Sequence, residues 1–272
     1  MDSLNKKIYP AIILLIIFIF FLSCSAEAVG VRPLTVDMFL EQGETEEFTL
    51  ELTPSDAEEL VELNLHYPHQ DLSGSLSYEV GDPDEHEVIN WIDMPDEVTV
   101  PPGEEVEVTG EVNVPFDAEG SHTAVIMVEP VVEDEEGITL QVRYAVRVNI
   151  HVDAPGLRED AELLDFDLEA DEEDQPLLTA HMENPSQLMY DAAGEVTVRD
   201  EDRQLIERVT IETPGGGEET TIYPGAEVLF EGNITEPLAA GQYDLQAFIY
   251  YGDGRQIIER KTVEVGDEFI DP

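Results

Sequence analysis

The chain is poor in cysteine, tryptophan and positive charge. It has one Cys (Cys24) and one Trp (Trp91), which excludes a disulfide framework and a cysteine-ligated zinc site. Lys and Arg number 12 against 63 Asp and Glu in 272 residues, a formal charge of −51. So few bases cannot line a face that neutralises phosphates, which excludes a nucleic-acid binder. The same deficit disfavours an electrostatic grip on anionic lipid. Catalytic signatures are also missing: there is no nucleophile elbow, no phosphate loop and no H-E-x-x-H. Gly215, Gly216 and Gly217 lack a following Lys-Ser/Thr and precede Glu218 and Glu219, so they read as a flexible hairpin tip. His66 and His69 are three apart on a predicted strand, which points them to opposite faces and makes a poor metal pair. Asp82–Glu85 and Asp171–Asp174 lack EF-hand spacing and read as solvated acidic loops, weak calcium binding being the alternative. No catalytic residue, metal or cofactor is expected, and the chain reads as non-enzymatic.

What is present is a globular composition, 42% hydrophobic. The acids are spread over the whole chain, and Lys261 is the only Lys after residue 7. This dispersal is the pattern of adaptation to high salt, where carboxylates keep a surface hydrated and their repulsion is screened over a Debye length of about 3 Å at 1 M. At the N-terminus, Lys6 and Lys7 precede an apolar run from Ala11 to Leu22. That run is shorter than the roughly 20 residues of a membrane-spanning helix and has the flanks of a secretory signal. Ala26-Glu27-Ala28 fits a cleavage site, giving a signal peptide over 1–28 and an exported protein of the periplasm or cell surface. The alternatives are a lipoprotein exit at Cys24, the one route to membrane attachment by lipidation, and an uncleaved anchor.

After residue 28 no stretch sustains a helical period, while period-2 runs broken by Pro, Gly and Asp recur. Eight strands are predicted between Leu34 and Val152, the last of them running from Ile138 to Val152. Seven more are predicted between Leu163 and Val265. Asp153-Ala154-Pro155-Gly156 interrupts the two series as a linker. The fold class is therefore all-β, two tandem immunoglobulin-like β-sandwich domains over 29–154 and 155–272. Pro101-Pro102-Gly103 before one strand and Gly120 before the next are echoed by Pro224-Gly225 and Gly241, which suggests two copies of one architecture.

The segment from Ile138 to Val152 alternates without a break. Leu140, Val142, Tyr144, Val146 and Val148 fall on its apolar face, and a strand of this length spans about 46 Å. Between Val29 and Val152 the only bases are Arg32, Arg143 and Arg147. Arg143 and Arg147 share the other face of that strand. First and last strands are neighbours in many immunoglobulin-like folds, so the three arginines are expected to converge on an anionic group, the bland alternative being local pairs with acids.

An export signal, two sandwiches, an early Arg and a long alternating strand before a Pro linker resemble the pilus-assembly chaperones of the PapD type. The resemblance implies that the alternating strand is lent to a secreted or surface β-rich subunit with an incomplete sandwich, by strand addition. It also implies a basic pair in the cleft between domains for the subunit's terminal carboxylate. Arg32 matches the first-strand base by position; for the last-strand base Arg147 is nearby, with Asn149 or Ile150 as alternative equivalents. The first half also resembles WxL-interacting surface proteins through its Pro-Gly strand and Pro115-Phe116-Asp117-Ala118-Glu119-Gly120. The alternative function that follows is a surface adhesion or cell-wall-binding module. If the acidity is a salt adaptation, the denaturation midpoint falls on transfer from molar to low salt; a midpoint unchanged across that range overturns it.

Overall fold

Alternating apolar and polar side chains build nearly every element of this molecule, and the apolar set of each strand turns to one of two cores. The computed structural model describes residues 29–131, 141–171 and 175–266. The expected signal segment, and residues 138–140 of the expected long strand, lie outside them. The first series is β1 (Gly30–Arg32), β2 (Thr35–Leu40), β3 (Thr45–Thr53), β4 (Glu59–Gln70), β5 (Leu76–Val80), a 3-10 helix (Glu87–Trp91), β6 (Ile92–Asp93), β7 (Glu97–Val100), β8 (Val106–Asn113), β9 (Gly120–Pro130) and β10 (Tyr144–Val152). The second is β11 (Glu162–Ala170), β12 (Pro176–Glu183), β13 (Tyr190–Asp200), β14 (Leu205–Ile211), β15 (Glu219–Ile222), β16 (Glu227–Asn233), β17 (Gly241–Tyr251) and β18 (Arg255–Val265).

Each series folds into two facing sheets, so the fold is all-β with two immunoglobulin-like sandwiches. In the first, one sheet has the order β1-β3-β8-β6 and the other β2-β10-β9-β4-β5, with β7 also on β4. In the second, the orders are β11-β12-β16 and β14-β13-β17-β18, with β15 also on β13. The larger sheets match strand for strand: β10-β9-β4-β5 in one, β18-β17-β13-β14 in the other. The expected internal repeat is visible here, since Gly103 (φ +75°) and Gly225 (φ +72°) make the turns into β8 and β16. The one mismatch is β2, which the second sandwich lacks.

Leu50, Leu52, Ile126 and Ile150 sit in the first core at 0% exposure, together with Trp91. Leu178, Met182, Phe230 and Ile249 hold the second. Gly110 is required by its neighbour: a Cβ there would lie 2.4 Å from the Phe48 ring on β3. β1, β6 and β15 were not expected from the sequence. They are three, two and four residues long, too short to show a period. The expected strand from Ile138 needs a larger correction. It begins at Tyr144, and residues 141–143 carry no strand pairing.

Replacing Ile150 by Ala leaves a cavity under β10 and should destabilise the first domain by about 2–5 kcal/mol. Chemical denaturation followed by the fluorescence of Trp91, the chain's one tryptophan, checks this for the first domain alone.

Candidate functional site

The first strand divides between two sheets, and this division shapes the margin of β10. Val31 on β1 pairs with Leu52 on β3. After Pro33 the chain crosses to the other sheet, where β2 runs parallel to β10 with Thr35 opposite Arg147 and Leu40 opposite Val152. The opposite margin of β10 is paired with β9 from Tyr144 to Val152. Pairing with β2 starts where the Arg147 N–H donates to the Leu34 carbonyl at 3.1 Å. Backbone groups alternate direction along a strand, so Ala145 turns its N–H and C=O to the same margin as Arg147. Among the described residues nothing pairs with that margin at Tyr144–Val146.

The expected capture residues divide accordingly. Val142 and Tyr144 are half-buried beside the open margin. Val146 and Val148 are corrected: both are at 0% exposure in the domain's own core, so neither offers an apolar surface to a partner. Leu140 lies outside the described residues.

The expected convergence of three arginines is also corrected. Arg32 is held on the exposed edge of the first sheet by Glu51 and, at 3.2 Å, by Glu105. Arg143 pairs with Glu129 on β9 at 3.1 Å. Of the three, only Arg147 reaches the cleft between domains, donating to the Thr35 hydroxyl at 3.3 Å and lying near enough to Tyr223 of the second domain to act on its phenol. With acids on every face, Arg32 and Arg143 each find a carboxylate locally.

The outer face of β10 lines this cleft. The Asn149 amide donates to Asp37 at 2.8 Å, and its oxygen accepts from the Thr123 hydroxyl at 2.9 Å. Val125, opposite Arg147 on β9, is fully buried without belonging to the first core. Burial pushes the Tyr223 phenol above its ordinary value, and the Arg147 guanidinium pulls it part of the way back. Main-chain bonds join the domains: Ser121 N–H to Gln187 O, Gly215 N–H to Ser73 O and Leu229 N–H to Leu72 O, each 2.7 Å. Gln70 adds its amide to Thr221 O at 2.8 Å and accepts the Tyr223 N–H at 3.1 Å. Gly215 is therefore part of the domain junction, where a flexible hairpin tip was expected. Asn149 was reached only through the family resemblance, and the sequence carried no signal for Asp37, Gln70 or Tyr223 as site residues. Beside the junction lies an open cavity of about 510 Å³ walled by Tyr67, Gln70 and Tyr223. Among the described residues no three acidic, His or Cys side chains gather to hold a metal.

Two histidines lie close to this junction. Desolvation holds His122, packed on Trp91, below its ordinary value of 6.5, against the pull of the Glu119 carbonyl and Glu87. Desolvation likewise lowers His151, stacked on Phe39 and near Asp37. Because both folded values are depressed, the unfolded chain takes up protons first. Stability is full above about 6.5 and falls as the pH drops below it. The melting temperature should therefore be lower at pH 5.5 than at 7.5, and His122→Gln should shrink that difference. An equal drop in the variant overturns the assignment.

No family model and no curated protein sequence matches the chain. Its structure is similar to those of PapD-like pilus chaperones. One is a chain of the CsuC–CsuE chaperone–tip adhesion subunit pre-assembly complex from Csu pili of Acinetobacter baumannii, at 11% identity and a TM-score of 0.48, covering 86% of this chain and 98% of that one. Another is a chain of a chaperone–tip adhesin complex of CFA/I fimbriae biogenesis, at 10% identity and a TM-score of 0.49, covering 86% and 99%. The class 5 fimbriae chaperone CfaA matches at 11% identity and a TM-score of 0.47, covering 86% and 99%.

Proposed function

We propose that this protein is an exported, non-enzymatic assembly chaperone that captures β-rich subunits by strand addition. The open margin of β10 carries the reading. At Tyr144–Val146 a strand paired on one side presents the Ala145 N–H and C=O to an incoming strand, and β2 closes the same margin from Arg147 onward. Main-chain bonds along that margin supply affinity, and the alternating side chains of Val142 and Tyr144 supply selection. The apolar contact is thus shorter than the whole strand, because Val146 to Val152 already complete this protein's own core. The partner is a secreted or surface subunit with a missing strand, met in the periplasm or at the cell surface after removal of residues 1–28.

Arg147 with Thr35 and Asp37 sits at the cleft end of this margin, and a captured chain terminus would lie beside them. Arg32 has no part in that end, being held on the other sheet.

Ala145→Pro removes one N–H from the open margin and none from the β9 ladder, a placement that edge strands tolerate. It should abolish co-purification of secreted subunits in molar salt while leaving the Trp91-reported melting unchanged. Val142→Asp and Tyr144→Asp should do the same by placing charge against the apolar contact. Undiminished capture by all three variants overturns strand addition at this margin, and leaves wall or surface adhesion through another face.

A further inference from the structure

Ten basic residues follow residue 28, and half of them have a carboxylate partner among the described residues. Arg32, Arg143, Arg208, Arg255 and Lys261 each sit within 4.0 Å of one. Among the described residues Arg147, Arg158, Arg199, Arg203 and Arg260 do not, and the last three line one open pocket of about 360 Å³ on the outer face of the second domain's larger sheet. The register explains the grouping. Thr197, Gln246 and Arg260 form one row across β13, β17 and β18, and Arg199, Asp244 and Thr262 form the next. Arg199 donates only to the Arg203 carbonyl, at 3.3 Å. Asp244, the carboxylate inside the site, is turned to the Thr262 hydroxyl at 2.7 Å. Lys261 faces the other way, onto Asp167 and the Phe166 carbonyl.

Two further features mark this face. Thr197, in the row of Arg260, is 3% exposed and its hydroxyl has no partner among the described residues, but it lies beneath the pocket lining and not in it. Arg203 occupies a left-handed turn position (φ +62°) between Asp200 and Gln204. Glycine is the unstrained residue there, and an arginine is held instead. The next rows of the same face expose Ile258 and Tyr250, at 46% and 44%. Successive rows on one face are about 7 Å apart, the spacing of residues i and i+2 in an extended peptide.

From this we infer a second binding site, on the domain that does not lend a strand, for an extended acidic segment of a partner protein. Its carboxylates meet Arg199, Arg203 and Arg260 through guanidinium forks, and an apolar side chain two residues away covers Ile258 and Tyr250. The acids that surround the site oppose an anionic partner at long range, and molar salt screens that repulsion more completely than it weakens the short-range contacts.

The probe is a fluorescein-labelled heptapeptide, Glu-Thr-Glu-Thr-Ile-Thr-Tyr, titrated by anisotropy against the full chain in molar sodium chloride. Arg199→Gln and Arg260→Gln should each weaken binding roughly fivefold to tenfold, the scale of one lost charge-assisted hydrogen bond. Arg203→Gly should weaken it similarly while holding or raising the melting temperature, because it relieves the turn. Arg158→Gln, which removes a base with no carboxylate partner from outside the pocket, should leave it unchanged, as should Val142→Asp on the lent strand. The proposal is overturned if the Gln-for-Glu peptide binds equally well, or if Arg158→Gln weakens binding as much as the pocket variants. It is also overturned if millimolar sulfate displaces the peptide, which would make the pocket a site for a tetrahedral anion.

Discussion

The hydrogen bond from the Arg147 N–H to the Leu34 carbonyl is the point on which the architecture turns. Upstream of it the leading chain serves the first sheet as β1; downstream it serves the second as β2. A single strand cannot close both sheets along their whole length, so the margin it leaves uncovered is a consequence of where it crosses. Here the crossing leaves Tyr144–Val146 bare and seals Arg147–Val152. Everything proposed about capture depends on that boundary, because it separates the part of β10 that finishes this molecule's core from the part that can finish another's.

The second sandwich meets the same margin differently. It has no counterpart of β2, and β18 is the last strand of its sheet. Arg255, Glu259, Arg260, Lys261 and Glu264 lie along it, and charge of this density discourages pairing with a further strand. Along the part of β10 that β2 leaves unpaired, Arg143 is the one charged residue between Val142 and Val146, and it is paired with Glu129. Two domains of one architecture thus treat equivalent edges in opposite ways: one is defended, the other is left receptive. The defended edge borders the unpaired arginines, so the charges that repel a strand there also line a pocket.

Much of the fold was legible because period 2 survives in single strands. The alternating runs at Leu76–Val80 and Leu205–Ile211 coincide with β5 and β14 end to end. The start of β10 was not legible, since alternation continues through residues 141–143 whether or not a neighbour pairs with them. Which alternate residues face a core also escaped: Val146 and Val142 look alike in sequence, and only the position of β2 separates them. Residues 147, 149 and 151 read only as the strand's other face, with Arg147 aimed at an anion or a local acid; Asn149 is instead held by Asp37 and Thr123 of its own domain, and Arg147 lies near Tyr223 of the second. Arginine pairing was illegible for a different reason. With 63 acids, a carboxylate is within reach almost anywhere, so spacing alone could not show which arginines would be left over.

The junction between the domains has a character of its own. Its closest contacts run from amide to carbonyl, through Ser121 and Gln187, Ser73 and Gly215, and Leu72 and Leu229. Such bonds carry no side-chain identity and no titratable proton. Amino-acid replacement at most of these positions, acid or a change of salt would leave the donors and acceptors where they are. The angle between the two halves is therefore inherited through loop length: inserting or deleting a single residue between Gln70 and Leu76 would re-aim the molecule more than many exchanges of side chain.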